Sequence, residues 1–230
     1  TNFGTAQGLP FGGVTALMIQ PNDDVWMGSG LGGIMIYDGA AFTALTSAVD
    51  GLVDDRIRAM VTDFQDERWI ATSEGITVLN SSDIFSTNYT TMFSLPAPDT
   101  LNPIEDIEVD LTGNIWVGVY VDYLVTEGGV CAWDGSTWTQ YEVADGLVGP
   151  VIRALTIDSE NSVWVATSTG VSKISDHGVS VNEMTADSEF TLFPNPTNDK
   201  LTILYPEGNE ADGAYIFDAS MQLVEMYEFT

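Results

Sequence analysis

The chain has 230 residues and a net charge of −28, from 34 acidic and 6 basic side chains. That balance excludes nucleic-acid binding, which needs a positive surface to displace counterions, and it disfavours an anionic membrane surface. A single cysteine, Cys131, excludes an intrachain disulfide and a thiolate metal cluster, and no apolar run is long enough to make a transmembrane segment.

Residues 1–10 hold Gly8-Leu9, a pair that recurs as Gly51-Leu52 and Gly146-Leu147, each just ahead of a repeated pattern. Residues 1–10 therefore read as the end of a preceding unit, with more units expected upstream. The pattern itself is written four times. Each copy opens on a short apolar run: Val14–Ile19, Ile57–Thr62, Ile104–Val109 and Ile152–Ile157. Asp63, Asp110 and Asp158 close three of these runs and begin polar turns, since Asp bonds its own backbone there. The first copy has Gln20 followed by Pro21-Asn22-Asp23. Trp26, Trp69, Trp116 and Trp164 follow in alternating apolar segments, which predict second strands. Gly33, Gly75, Gly129 and Gly170 precede third strands. Asp38-Gly39 and Asp134-Gly135 are hairpin signals leading to fourth strands at Phe42 and Trp138.

The tryptophans are spaced by 43, 47 and 48 residues, and four strands per unit at that period describe the blades of a β-propeller. The fold class expected is all-β, with four four-stranded blades over 11–182, and with the four tryptophans buried between blades. The glycine-rich run Gly28–Gly33 reads as a loop, because a strand follows it where a phosphate loop needs a helix, and no lysine is near. Cys131 aligns with Met35, Thr77 and Ser172 in the third strand and reads as a core thiol. His177, the sole histidine, falls in a predicted turn between the third and fourth strands.

The run Asp110-Leu-Thr-Gly113-Asn-Ile-Trp116-Val-Gly118 resembles the two-component-regulator propeller repeat, and Asp158 to Val171 matches it with a longer turn. In that family such repeats commonly form periplasmic sensor regions. After a polar linker at 183–189 the tryptophan pattern stops. The segment from Phe190 through Phe193-Pro194-Asn195-Pro196 to Asp199-Lys-Leu201-Thr-Ile203 resembles the start of the type IX secretion C-terminal sorting domain of Bacteroidetes. Met221 stands where that family has glycine, and 190–230 matches only the first part of its small β-sandwich. The resemblance implies export through the type IX machinery, with Pro194, Asn195, Pro196 and Asp199 as the sorting motif, to the medium or the outer-membrane surface.

Candidate binding residues come from the repeat register. Aligned on their first apolar residue, the innermost strands carry Thr15, Arg58, Glu105 and Arg153 at the second position. This places one polar residue per blade at one mouth of the propeller. Two uses are open: an ion-pair network between blades, or a rim for an anionic or sugar ligand, to which arginine offers a planar fork. Blade three has thirteen residues between Trp116 and Gly129 where blades two and four have six. The insertion carries Tyr120, Asp122 and Tyr123, and its place between strands two and three puts it on the same face as Arg58, Glu105 and Arg153. Aromatic rings beside charges suit sugars. No catalytic motif, metal-ligand set or cofactor signature occurs. The function expected is non-catalytic binding of a carbohydrate or protein ligand. The alternative is a propeller-based lyase or glycosidase whose catalytic residues lie partly upstream.

Overall fold

A computed structural model describes residues 2–4, 9, 13–95, 102–119 and 128–175, together with the backbone of strands at 191–193, 202–204, 213–217 and 223–228. The chain divides into two compact units, Thr1–His177 and Gly178–Thr230. In the first unit, blade one is β1 (Val14–Ile19), β2 (Val25–Ser29), β3 (Ile34–Tyr37) and β4 (Phe42–Leu45). Blade two is β5 (Ile57–Thr62), β6 (Arg68–Thr72), β7 (Gly75–Leu79) and β8 (Phe85–Tyr89). Blade three is β9 (Ile104–Val109), β10 (Ile115–Val119), β11 (Val130–Trp133) and β12 (Trp138–Tyr141). Each is an antiparallel four-stranded meander. Blade four comprises β13 (Ile152–Ile157), β14 (Val163–Thr167) and β15 (Gly170–Ile174), a three-stranded sheet. The residues expected to form its fourth strand, and His177, lie outside the described residues. The second unit contains two antiparallel pairs, β16 (Thr191–Phe193) with β17 (Thr202–Leu204) and β18 (Gly213–Phe217) with β19 (Leu223–Glu228).

The core is three layers, one between each pair of neighbouring blades. Blades two and three each bury two different faces in these layers and blades one and four one each, and the same repeat positions supply them each time. Toward the following blade point the tryptophan of the second strand and the first residue after the third-strand glycine: Trp26 and Ile34, Trp69 and Ile76, Trp116 and Val130. Toward the preceding blade point the first and fourth residues of the inner strand: Ile57 and Met60, Ile104 and Ile107, Ile152 and Leu155. The inner strands β1, β5, β9 and β13 accordingly lie side by side in chain order.

Small residues set the blade spacing. A Cβ on Gly28 would come within 2.5 Å of Ile57 Cγ2, and one on Gly118 within 2.5 Å of Ile152 Cγ2. The segments between blades end in a left-handed glycine, Gly51 (φ 83°) after helix α1 (Ser47–Asp50) and Gly146 (φ 113°) after a 3-10 turn. Each glycine turns the chain so that the next residue, Leu52 or Leu147, plugs the interface ahead. The pairs Gly51-Leu52 and Gly146-Leu147 visible in the sequence are these plugs.

Trp164 departs from expectation. It occupies the same second-strand position as the other three tryptophans, yet it is 40% exposed where they are buried. The reason is positional: among the described residues of its unit, no further blade lies against its face of blade four.

Candidate functional site

The second positions of the inner strands do not lie in the regular ladder. In blade one Val14 pairs with Ser29 and Ala16 with Gly28, so Thr15 is left out. Arg58, Glu105 and Arg153 are skipped in the same way between their paired neighbours. Each is the extra residue of a β-bulge, and all four blades carry the bulge at one position. A bulge shifts the alternation by one, which is why positions one and four of each inner strand share a face. It also lifts the second side chain out of the two packed faces and turns it toward the mouth.

Hydrogen bonds and an ion pair link three of these residues to the neighbouring strands and blades. Thr15 Oγ1 donates to the carbonyl of Ile57 in the next blade at 2.7 Å. Arg58 Nε donates to Ser73 Oγ, in the β6–β7 turn, at 3.1 Å, and Arg58 Nη1 lies 3.3 Å from Glu105 Oε2 of blade three. The turn after the second strand thus meets the start of the first strand. The same backbone bond repeats there, Ser73 N to Arg56 O and Ser168 N to Val151 O. Arg56 adds ion pairs to Asp54 and Glu74 at 3.0 and 3.1 Å. The structure therefore brings Arg58 and Glu105 together. Their side chains are 37% and 24% exposed, so water screens the pair and its worth is about 1 kcal/mol or less. Arg153 is exposed and has no ion-pair partner among the described residues. Tyr120, Asp122 and Tyr123, and the motif residues Pro194, Asn195, Pro196 and Asp199, lie outside the described residues.

The opposite face holds a feature the sequence reading passed over. Where blades two and three splay apart, a groove of about 430 Å³ is lined by Glu67, Trp69, Tyr89, Thr112, Trp133 and Asp134 among others. Trp69 stacks on Tyr89 at 5.7 Å, and Trp133 and Trp138 approach Tyr89 at 5.3 and 5.4 Å. Burial, and then the nearby Asp63, pushes the Glu67 carboxyl above its usual range. The signal was present as Tyr89 in the outer strand of blade two and Trp133 and Trp138 in the last two strands of blade three, but only the blade packing brings them together. Cys131 is fully buried, and burial pushes its thiol far up, so it is a packing group rather than a nucleophile. Among the described residues no cluster of His, Cys, Asp or Glu is built to hold a metal ion, and no helix is long and apolar enough to cross a membrane.

The chain has the fold of a β-propeller blade array. No family model matches it, and no curated relative does either. Solved structures match on fold. The extracellular domain of a candidate hybrid two-component system of B. thetaiotaomicron aligns over 85% of this chain with 17% identity and a TM-score of 0.58. PorZ, a bacterial surface component of the type IX secretion system of Porphyromonas gingivalis, aligns over 94% with 20% identity and a TM-score of 0.52. Virginiamycin B lyase of Staphylococcus aureus aligns over 94% with 15% identity and a TM-score of 0.53. The chain spans about a quarter of the first of these proteins (26%), a third of the second (33%) and 70% of the lyase.

Proposed function

We propose that this chain is an extracellular or surface-displayed, non-catalytic binding module, and that its ligand docks at the mouth formed by the four inner-strand bulges. The observation that carries the reading is the recurrence of one bulge in every blade, with Arg153 left exposed and unpaired among the described residues while Arg58 is tied to Glu105. Four equivalent bulges hold side chains at fixed positions on rigid strands, which is the preorganisation a binding rim needs. The rim chemistry, arginine forks beside carboxylates, suits an oligosaccharide carrying carboxylate or hydroxyl groups. Tyr120 and Tyr123 belong to this reading as the aromatic part of the same rim, with Asp122 as a carboxylate beside them. Likeness in fold to the Bacteroides extracellular domain and to PorZ supports a surface location, and residues 190–230 are read as the beginning of a sorting domain that engages the type IX machinery.

The test is glycan-array binding followed by titration of the hits. Arg153→Ala and Tyr123→Ala should each weaken binding by about tenfold or more, roughly 1.4 kcal/mol, with little change in melting temperature. Unchanged affinity in both variants would refute the mouth as the binding site. For export, a reporter carrying residues 183–230 should leave a type IX-competent host only while Pro194, Asn195 and Pro196 are intact. Export of the Asn195→Ala, Pro196→Ala reporter at the wild-type level would refute the sorting assignment.

A further inference from the structure

The groove between blades two and three takes no part in the rim proposed above. Both of its walls are complete four-stranded blades. Its volume of about 430 Å³ is lined by the β5–β6, β9–β10 and β11–β12 turns and by strand β8. A concavity of that size, bounded by four separate segments, suits a small molecule. Part of the lining is aromatic. Trp69 and Tyr89 lie parallel, 1° apart in plane and 5.7 Å between centres, and Trp133 tilts against Tyr89 at 48° and 5.3 Å.

The charged part of the lining has one sign. Asp63, Glu67 and Asp134 contribute carboxylates, and no Lys, Arg or His stands among the lining residues. Two of the three are bound into their own turns. Asp63 accepts the Trp69 indole N–H and the Glu67 amide, both at 2.8 Å. Asp134 accepts the Thr137 and Ser136 amides, both at 2.7 Å, and these bonds hold its carboxyl well below the usual range, so it keeps its charge. Glu67 differs. Its carboxylate is half-buried and accepts no hydrogen bond or ion pair among the described residues. It also faces Tyr89, whose hydroxyl is pushed up first by burial and then by the Glu67 charge. A carboxylate drawn partly out of water without a counter-ion is stabilised by a cation. The aromatic faces beside it attract the same kind of ligand through their quadrupoles.

We propose that this groove binds a small alkylammonium ion, whose apolar body lies against Trp69, Tyr89 and Trp133 and whose charge is met by Glu67. The net charge of −28 draws cations to the surface as a whole, and the rings of the groove select among them.

Titration of the nitrogen-15-labelled chain with choline tests the site by NMR, at roughly 20 mM salt, where screening is weak. The indole signals of Trp69 and Trp133 should move and those of Trp26 and Trp116 should stay, with a Kd on the order of 1 mM or below. The neutral isostere 3,3-dimethylbutan-1-ol, and the neutral sugar cellobiose, should each bind at least about tenfold more weakly. Glu67→Gln removes the charge and keeps the shape, so it should hold the melting temperature and weaken choline by about fivefold or more. Glu160→Gln, on blade four, should leave the affinity alone, which separates the site from attraction to an acidic surface in general. Several results would overturn the proposal: no shift of Trp69 or Trp133, equal binding of the alcohol or of cellobiose, or unchanged affinity in Glu67→Gln. Tenfold tighter binding of a Gly-Arg-Gly amide than of choline would also overturn it, by making a basic side chain of a protein the occupant.

Discussion

Asp110 performs two tasks with one carboxylate. Its Oδ1 accepts bonds from the backbone of Thr112 and Asn114 and shapes the turn, while its Oδ2 accepts the indole N–H of Trp116 at 2.9 Å. Asp63 and Asp158 do the same for Trp69 and Trp164, at 2.8 and 2.7 Å. The constant six-residue step from aspartate to tryptophan, plain in the sequence, is the reach of this bond across one hairpin. Burial raises the Asp110 carboxyl, but the Trp116, Thr112 and Asn114 bonds together outweigh it and hold the group below its usual range. Trp116→Phe leaves that carboxylate short of a donor in a buried site and should cost about 1–3 kcal/mol in urea unfolding. Trp164→Phe should cost distinctly less, because water reaches Asp158; equal losses would mean the two sites are equally closed. Gln20 replaces the aspartate in blade one and instead donates to Thr62 of blade two at 3.1 Å, a switch from holding a turn to holding a neighbour.

At the scale of the element, the bulge is the feature that makes the blades fit. It was written in the sequence as a recurrent apolar pair at positions one and four of the inner strands, out of step with strict alternation. Read as simple alternation, the pattern grouped Arg58, Glu105 and Arg153 by repeat position but concealed that they leave the ladder. The strand order was legible because Asp-turns, glycines and Asp-Gly hairpins punctuate every blade. The groove between blades two and three was not, because Tyr89 and Trp133 are 44 residues apart and meet only through packing. The closeness of blade packing gives one prediction: Gly118→Ala drives a methyl into Ile152 and should destabilise by about 1–3 kcal/mol, despite the usual benefit of replacing glycine in a strand. A neutral Gly118→Ala would show the blades are less tightly seated.

The interface between blades three and four gives another prediction. Asp106 and Glu108 point from β9 toward blade four, and Asp106 accepts the Leu155 amide at 2.7 Å. Burial pushes both carboxyls above their usual range, with Asp106 adding to the rise at Glu108. A carboxyl with a raised folded-state pKa binds its proton more tightly in the fold, so stability rises as pH falls through that pKa. Asp110 and Asp158, held low, act in the opposite sense and lose their contribution as pH falls below the ordinary carboxylate range. The melting temperature should therefore climb between pH 7 and about 5 and drop below about pH 3. Asp106→Asn combined with Glu108→Gln should flatten the climb and spare the drop; an unaltered profile would assign the climb to the general relief of negative charge.

For the whole molecule, the account rests on a stack of blades that buries a layer of side chains between each neighbouring pair. The polar stretch 183–189 separates this stack from the segment read as a sorting domain, and limited proteolysis should cut there before it cuts blade three. Cleavage within blade three first would argue against that division. The stack itself is tested most directly by indole hydrogen exchange, measured by NMR. Trp116 and Trp164 donate to aspartates at similar distances, 2.9 and 2.7 Å, but Trp116 is 1% exposed and Trp164 40%, so burial separates them. The account predicts that the indole protons of Trp69 and Trp116 exchange only through large-scale opening, while that of Trp164 exchanges at least about 100-fold faster. Equal protection of Trp116 and Trp164 would contradict it.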